Sequence, residues 1–364
     1  MDHINEEHYR GSIGDLRAFQ RPGLETFRRY IRGELPAPPI SRLVGMRPTE
    51  ASLGKATFTM PVTHWLEDGF GLYWGGVYAL LADAPLAAAI WTTLPARKAV
   101  ATSELSLSFV RPMSRKTEAM IGRAETIHSG SQVRLSMIQM TDHEGRLLAF
   151  GSTRCLISDV PVDVEADYPS PKLGPGDTPD PYLRPPPDDG YFALDEVLHG
   201  APIELQRRTV LGEKIFPVWR LTGYRPTAIE DGSMTAVLPS SPWFSNGGTS
   251  IYGGLLAWAA EFTMGAAVYS TLAAGDVFAT LDMHIRFTRP AVVNTGDLKL
   301  SATVNHRGKL LRVSSCNIDN AEGKRVAMAT SSALVVEGGV RELRKGRLPE
   351  EILGGIERTD EQAI

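Results

Sequence analysis

"YWGGVYALLAD" at residues 73–83 and "IYGGLLAWAAE" at residues 251–261 are two versions of one segment. In each, two glycines open a long apolar run, and one acid, Asp83 or Glu261, lies inside it. A helix that is apolar nearly all round must be covered on every side. A carboxylate in such a helix is unfavourable unless it is paired, hydrogen-bonded or neutral. The segment therefore predicts a buried helix in which the acid has a special task.

The two segments belong to a tandem repeat. An offset of 178 residues aligns them, and it also aligns "ATSELSLSFVRP" with "ATLDMHIRFTRP" and "GMRPT" with "GYRPT". The register holds without a gap between residues 39–157 and 217–335. Self-similarity over that length indicates a duplicated domain.

Each repeat has the same predicted order of elements. A strand ("KATFTMPV" or "SMTAVLPS") and a loop precede the apolar helix, and four strands follow it. In repeat 1 the last three strands are predicted at about 118–127, 132–141 and 146–157. Apolar and polar residues alternate in "TLDMHIRF", which is typical of a half-buried strand. The sequence predicts an α+β fold with two tandem antiparallel sheets, each wrapped around a central apolar helix.

Four segments lie outside the repeats. Residues 1–38 and 191–216 are predicted helical lead-ins, because the amphipathic stretch 15–33 has a counterpart at about 193–211. Residues 158–190 contain nine prolines and predict an extended linker. The charged tail, residues 336–364, is predicted to be peripheral.

Composition excludes several classes of protein. The formal net charge of −4 lacks the basic surplus of a nucleic-acid binder. The apolar run 77–94 contains Asp83 and Pro85 and is shorter than a membrane span of about 20 residues. Cys155 and Cys316 fall on unrelated strands, and the N-terminus is polar, so a cytoplasmic protein without disulfides is expected. No metal-ligand spacing or dinucleotide fingerprint occurs, so neither a metal nor a cofactor is expected.

This order of elements resembles the hotdog fold, and more narrowly the PaaI-like acyl-CoA thioesterases. The matching features are a "P-x-x-R-L-x-G" lead-in, a Trp-containing loop before the Gly-Gly helix start, the helix acid, the "T-x-x-x-x-x-x-F-x-R-P" strand and an "H-x-G" turn. The resemblance covers both repeats. It implies a double hotdog whose halves pair as two subunits would, and further assembly into a homodimer.

The family motif reads Asn, five residues, then His-Gly-Gly. Repeat 2 has Asn246 at the first position and Tyr252 in place of the His. Repeat 1 has Asp68 in place of the Asn and Trp74 in place of the His. The acid is present in both repeats.

The glycine pairs suit the stabilisation of negative charge on a thioester oxygen. Backbone N–H groups at a helix N-terminus have no intrahelical partner and lie at the positive end of the helix dipole. Gly75, Gly76, Gly253 and Gly254 occupy that place. The alternative is that these glycines only permit tight helix packing.

The two acids are the candidates for the nucleophilic half of the reaction. Asp83 or Glu261 could act as a general base toward water, or could attack the thioester directly. The alternative is a structural ion pair with Arg111 or Arg289.

The resemblance implies that each acid faces the other repeat. Asp83 would face Asn246 and the second glycine pair, whereas Glu261 would face Asp68 and the first pair. The second arrangement would place two carboxylates together, which raises one pKa and repels an oxyanion. The Asp83 site is therefore predicted to be the better catalyst.

Six further residues are candidates for substrate binding. Thr102 and Thr280 could contact the acyl chain or the acid, or could simply belong to the core. Arg111 and Arg289 could bind coenzyme A phosphates, or could lie on a solvated sheet edge. Tyr252 and Trp74 complete the set.

The resemblance implies an acyl-CoA thioesterase, with an acyl-CoA or acyl-carrier thioester as substrate and with no nucleic-acid or membrane partner. Two alternatives stay open. One is a non-catalytic acyl-CoA-binding protein, favoured by the loss of both motif histidines. The other is a hotdog hydratase or dehydratase, although neither repeat has the His–acid pair expected for it. Acyl length and the choice between aromatic and aliphatic chains are not predicted.

Overall fold

Two long apolar helices, α3 and α7, lie at the centre of the molecule. The computed structural model describes residues 3–173, 178–345 and 347. The α-helices are α1 (Gly23–Ile31), α2 (Pro39–Val44), α3 (Gly76–Trp91), α4 (Leu194–His199), α5 (Pro202–Val210), α6 (Pro217–Thr222), α7 (Gly253–Tyr269) and α8 (Gly339–Arg344). The strands are β1 (Arg47–Ser52), β2 (Lys55–Pro61), β3 (Lys98–Phe109), β4 (Ala119–Ser129), β5 (Val133–Asp142), β6 (Leu147–Asp159), β7 (Arg225–Glu230), β8 (Ser233–Leu238), β9 (Val277–Phe287), β10 (Leu298–Arg307), β11 (Leu311–Asp319) and β12 (Arg325–Val336). Short 3₁₀ helices lie at Ile4–Glu6, Leu16–Phe19, His64–Leu66, Pro181–Leu183 and Pro242–Phe244.

Both central helices are wrapped as predicted. Almost every residue of α3 and α7 is buried, including the acid in each. The two helices pack on each other, and each is covered by the strands of its own repeat. This burial follows from the sequence, because neither helix has a polar face to turn to water.

The twelve strands form one antiparallel sheet, with the order β1-β2-β4-β5-β6-β3-β9-β12-β11-β10-β8-β7. The two tandem sheets that the sequence predicts are continuous with each other, since β3 and β9 pair and join the halves. Ser106 lies opposite His284, its own counterpart at the 178-residue offset. The pseudo-twofold axis that relates the repeats therefore passes through this pair of strands.

The outermost strands, β1 and β7, were not predicted. The repeat register aligns "GMRPT" (45–49) with "GYRPT" (223–227), and Pro48 and Pro226 in these stretches do not favour a strand. Proline is tolerated on edge strands, where its missing N–H is not needed by a second neighbour. Both strands are edges of the sheet, so the same prolines that hide them fit their position.

The segment after β6 is docked rather than loosely extended. The Gln20 side chain donates to the carbonyl oxygens of Asp163 (3.1 Å) and Ala166 (2.7 Å). Arg42 donates to Asp180 at 3.1 Å. The described part of the linker is therefore tied to the N-terminal segment.

Both helical lead-ins are broken into shorter pieces, at Pro22 before α1 and at Gly200–Ala201 between α4 and α5. The prediction that the tail is peripheral is wrong for its beginning. Val340 in α8 is fully buried, and its N–H donates to Gly275 O at 3.0 Å. Residues 346 and 348–364 of that tail lie outside the described residues.

Candidate functional site

Asp83 joins the middle of α3 to the first turn of α7. Its side chain is buried, at 4% exposure. The Thr102 hydroxyl on β3 donates to Asp83 Oδ1 at 2.7 Å, and Gly254 N–H donates to Asp83 Oδ2 at 3.1 Å. The second bond crosses from one repeat to the other. The carboxylate thus lies at a helix N-terminus, where N–H groups are available and the dipole favours negative charge.

Glu261 makes the equivalent set of bonds with the repeats exchanged. Thr280 Oγ1 donates to Glu261 Oε1 at 2.6 Å, and Gly76 N–H donates to Glu261 Oε2 at 2.9 Å. Each acid therefore reaches the glycines of the other repeat, and each threonine contacts its acid.

Two of the four glycines are also required for close packing. A Cβ at Gly254 would lie 2.5 Å from Ala79 O, and one at Gly76 would lie 2.9 Å from Trp258 O. Both obstacles are backbone atoms that cannot move aside independently. The packing role and the donor role proposed for the glycines therefore coincide, because only close approach brings each N–H to the acid.

Burial controls the titration of both acids. Desolvation raises the pKa of Asp83 above its usual range, and hydrogen bonds from Thr102 and Gly254 lower it in part. Desolvation likewise raises the pKa of Glu261, and hydrogen bonds from Thr280, Gly76 and Gly75 lower it in part. Neither acid forms an ion pair within the described residues, so the alternative of a structural pair with arginine is wrong.

Asp83 opens onto a cavity of about 860 Å³. The walls come from several parts of the chain. They include α3 residues from Asp83 to Trp91, the loop 246–253 of repeat 2, and N-terminal residues such as Phe19 and Phe27. The N-terminal contribution was missed from the sequence, because a lead-in with no motif gives no signal of where it packs.

The first turn of α7 leaves a backbone donor open at the cavity wall. Gly254 N–H is occupied by Asp83, so it is not a free oxyanion donor as predicted. Gly253 N–H, one residue earlier, has no hydrogen-bond partner within the described chain, and Gly253 lines the cavity. At the second site both Gly75 and Gly76 N–H interact with Glu261, so the two sites differ in the donors that remain available.

The equivalent space at the Glu261 site is filled by aromatic rings. Trp74 stacks on Phe262 with ring centroids 4.3 Å apart, and Phe216 stacks on Trp219 at 4.1 Å. Phe216 also presses against the backbone at Gly69, where a Cβ would lie 2.0 Å from the ring. A cavity of only about 90 Å³ lies at the corresponding place, and Glu261 is not among its lining residues.

The repeat register explains this difference position by position. Large side chains of the filled site stand where the open site has smaller residues that line its cavity. These pairs, with the filled site first, are Phe262 and Ala84, Trp219 and Ser41, Phe216 and Pro38, Phe278 and Val100, and Phe70 and Gly248. These differences in side-chain size are visible in the aligned sequence, but their effect on the two sites can be interpreted only once the cavity is located.

The loop beside the filled site is also fixed in place by hydrogen bonds to a buried carboxylate. Glu67 is fully buried and accepts hydrogen bonds from Tyr73 (3.0 Å), Tyr191 (2.8 Å) and Arg115 (2.9 Å). Burial would raise the pKa of Glu67, but the hydrogen bonds from Arg115, His64 and Tyr191 outweigh it and keep the pKa below its usual range. The corresponding loop of repeat 2 remains exposed at the cavity mouth.

Asp68 does not share a site with Glu261, and that prediction is wrong. Asp68 Oδ1 accepts from Phe70 N–H and Leu72 N–H, both at 2.8 Å, in a local turn. Burial raises the pKa of Asp68 to about 7, and the nearby charge of Glu67 raises it as well. The hydrogen bonds from Leu72, Phe70 and Trp74 lower this pKa in part. Asp68 Oδ2 has no hydrogen bond of normal geometry within the described chain. A short polar side chain before a turn prefers such local bonds.

Asn246 lines the same cavity as Asp83 but is exposed. Its side chain makes no hydrogen bond with any described residue. Asn246 and Asp83 therefore line one cavity, and within the described chain no hydrogen bond joins their side chains.

The two arginines stabilise matching turns. Arg111 donates to Leu147 O at 3.4 Å, and Arg289 donates to Arg325 O, the equivalent position of repeat 2. Arg289 also lines the cavity mouth.

Tyr252 and Trp74 differ from their predicted roles. The Tyr252 ring lines the cavity, but its hydroxyl is bonded to α3 backbone groups. Trp74 is part of the aromatic cluster at the filled site. Neither side chain has a polar atom positioned for a substrate.

Other chemistries find little support in the described residues. Cys155 and Cys316 are buried and free, and burial raises the pKa of each thiol to about 12. No group of His, Cys, Asp and Glu in the described part of the chain is arranged to hold a metal ion. Across residues 3–173 and 178–345, no helix combines the length and apolar character needed to cross a bilayer.

Comparison with known proteins identifies the repeats. The profile of the Thioesterase superfamily matches residues 70–149 and again residues 248–327, one match in each half. Each repeat therefore contains a segment that is similar to the thioesterase superfamily. The fold of the chain is the double hotdog.

Solved structures include similar two-repeat chains. The tesB protein of Mycobacterium avium subspecies paratuberculosis matches with a TM-score of 0.51 and 12% identity, over 82% of this chain and 98% of its own. A hot dog fold protein of Alicyclobacillus acidocaldarius has a TM-score of 0.49 at 13% identity, over 79% and 95%. An acyl-CoA thioesterase II of Mycobacterium marinum has a TM-score of 0.47 at 13% identity, over 81% and 97%. A search of curated proteins finds no match to this chain.

The hydrogen bond from Thr102 gives a first testable prediction. Thr102→Val removes a donor that favours the ionised form of Asp83, so the pKa of Asp83 should rise further. Carboxyl-carbon NMR titration of Asp83 measures this.

Thr280→Val is the matched control for that titration. It should leave Asp83 unchanged and raise the pKa of Glu261 instead. An Asp83 pKa that stays constant or falls in Thr102→Val contradicts the assigned bond.

Proposed function

We propose that this protein hydrolyses an acyl-CoA thioester at the Asp83 site. The observation that carries the proposal is a buried carboxylate beside an open helix N-terminal N–H, at the wall of a cavity large enough for an acyl group. Ligand pockets typically have about 300–1,000 Å³. The finer assignment to the PaaI-like thioesterases rests on the helix acid and Asn246.

Asp83 would act as a general base. It takes a proton from a water molecule while the water oxygen bonds to the thioester carbonyl carbon. Gly253 N–H, at the positive end of α7, stabilises the charge that develops on the carbonyl oxygen. The C–S bond then breaks, and Asp83 returns the proton to the leaving sulfur. Direct attack by Asp83, through an anhydride that water cleaves, is the alternative route.

The raised pKa of Asp83 suits it to this work. A general base is most effective when its pKa lies nearer the working pH than that of an ordinary carboxyl. Activity should require the ionised form, so it should fall as the pH drops through the raised pKa.

The Glu261 site is proposed to be inactive. Its carboxylate keeps its hydrogen bonds, but Phe262, Trp219 and Phe216 occupy the space in which an acyl group would lie. Glu261 then serves to satisfy the N-terminus of α3.

The apolar part of the cavity is proposed to hold the acyl chain. Ala84, Ala87 and Ala88 of α3 form one wall, and Trp91 and Phe27 lie further along it. Arg47 and Arg289 line the same cavity and are exposed. They suit the phosphate groups of coenzyme A or of an acyl carrier. A homodimer of the chain stays a prediction.

One observation favours a non-catalytic acyl-CoA-binding protein instead. Tyr252 and Trp74 replace the histidines of the family motif, and both side chains are committed to packing. Such a protein would bind acyl-CoA tightly and release no thiol.

Separate substitution of the two acids tests the proposal. Asp83→Asn should lower kcat for thiol release by about 10²–10⁴-fold, the contribution typical of a general base. Glu261→Gln, the matched variant, should keep most of the activity. A thiol-release assay over a panel of aliphatic and aromatic acyl-CoAs measures both.

Equal losses in the two variants would refute the claim that only one site works. An unchanged Asp83→Asn enzyme would refute the catalytic role of Asp83. Tight binding with no thiol release from the unsubstituted protein would establish the binding-protein alternative.

The filled site supplies a second test of the cavity. Ala84→Phe installs the residue that repeat 2 has at this position, Phe262. It should raise KM by about tenfold or more, equivalent to roughly 1.4 kcal/mol of binding, because the ring occupies the acyl space. The melting temperature should not fall, since the ring enters an existing cavity.

Ser41→Trp, which copies Trp219 of the filled site, provides an independent variant of the same kind. Unchanged kinetics in both stably folded variants would show that the acyl chain lies elsewhere.

A further inference from the structure

The Tyr252 hydroxyl lies within a turn of α3. It accepts a hydrogen bond from Ala84 N–H at 2.8 Å and donates one to Leu80 O at 3.0 Å. In a regular α-helix these two groups would bond to each other, since residue i donates to residue i−4. The hydroxyl therefore bridges a position of the helix ladder, an insertion that bends or widens helices.

The next position of the ladder is also irregular. Pro85 has no N–H, so it cannot donate to Leu81 O. The turn that carries Asp83 is thus modified at two successive positions, one by proline and one by a side chain from the other repeat.

The same turn of α7 shows neither modification. Thr263 stands where α3 has Pro85, and its hydroxyl donates to Ala259 O at 2.7 Å within its own helix. Trp74 stands where repeat 2 has Tyr252, and it stacks on Phe262. The irregular turn is therefore specific to the repeat that carries Asp83.

The difference between the turns of α3 and α7 corresponds to a difference in length between the two acids. Asp83 and Glu261 bond to equivalent partners at similar distances, 2.7 and 3.1 Å against 2.6 and 2.9 Å. Aspartate is shorter by one methylene, about 1.5 Å of covalent chain. The shorter acid occurs where Tyr252 and Pro85 interrupt the helix ladder, and the longer acid occurs where neither interruption is present.

We propose that Tyr252 is a positioning residue that sets the backbone of α3 so that the shorter Asp83 carboxylate reaches Gly254 N–H and the Thr102 hydroxyl. The inference rests on the proposed function of Asp83. Tyr252 does not act on substrate, because both hydrogen-bonding directions of its hydroxyl are used by the helix. Burial, and the nearby Asp83, raise its pKa well above the usual range, so it stays protonated.

Tyr252→Phe tests the proposal. Removal of the hydroxyl lets Ala84 N–H bond directly to Leu80 O, which withdraws Asp83 from its partners. We expect kcat to fall by about 10- to 100-fold, as for a small misplacement of a reacting group, with little change in KM. We also expect the acidic limb of the pH profile to move to higher pH, since Thr102 and Gly254 no longer lower the pKa of Asp83.

Tyr224→Phe is the matched control. Tyr224 is as deeply buried as Tyr252, and its hydroxyl bonds to Thr263 at 2.9 Å, in the equivalent helix of the other repeat. It should leave kcat and the acidic limb unchanged. Equal effects of the two variants on kcat and pH profile would show a general stability effect and would overturn the proposal.

A longer acid should compensate for the lost hydroxyl. Asp83→Glu alone should lower kcat, because the carboxylate overreaches in the altered turn. In the double variant with Tyr252→Phe, kcat should be at least about tenfold above the product of the single effects, a coupling expected only for groups that act together. Simple multiplication of the single effects overturns the proposal.

Pro85→Thr keeps the question testable if Tyr252→Phe does not fold. It restores the missing N–H and should stabilise α3 while lowering kcat. A more stable variant with unchanged kcat overturns the proposal. Failure of the proposed function itself is distinguished by Asp83→Asn, which would then remain active.

Discussion

Two hydrogen bonds from helix N-termini to buried carboxylates cross between the halves of this protein. A carboxylate in an apolar helix needs donors, and unpaired backbone donors occur at the first turn of a helix. Asp83 and Glu261 find them only in each other's repeat, at Gly254 and Gly76. The start of each helix must therefore lie against the middle of the other. This requirement explains the glycines, and it agrees with the pseudo-twofold arrangement in which β3 pairs with β9.

The hydrogen-bonded frame is nearly symmetric, whereas the space around it is not. At the Asp83 site small residues such as Ala84 and Gly248 leave a cavity, and at the Glu261 site Phe262 and Phe70 fill the equivalent space. Retention of Glu261 needs no catalytic explanation, because its carboxylate still satisfies the N-terminus of α3. Loss of the acid would leave buried N–H groups unpaired, at a cost of about 1–3 kcal/mol each.

The sequence predicted what depends on repetition and local pattern. The duplication and the two buried helices follow from aligned residues and from apolar patterning, whereas the crossing of the acids was implied by the family resemblance. The edge strands were hidden by Pro48 and Pro226. The predicted pairing of Asp68 with Glu261 is wrong, because the Asp68 carboxylate accepts hydrogen bonds from Phe70 N–H and Leu72 N–H instead. The spacing of residues in the sequence does not show which of these partners is preferred. The aromatic filling depends on tertiary packing, so the difference between Ala84 and Phe262 had no meaning before the cavity was seen.

The open site draws on both repeats at once. Asp83 and Thr102 come from the first, whereas Tyr252, Gly253 and Gly254 come from the second. A change that fills the Glu261 site therefore alters residues that do not belong to the Asp83 site. The two sites are connected only through the shared hydrogen-bonded frame. As long as that frame is kept, one site can lose its cavity without cost to the other. Repeat 2 cannot be discarded, because its Gly254 N–H is the donor across the repeats that makes the Asp83 carboxylate tolerable inside an apolar helix.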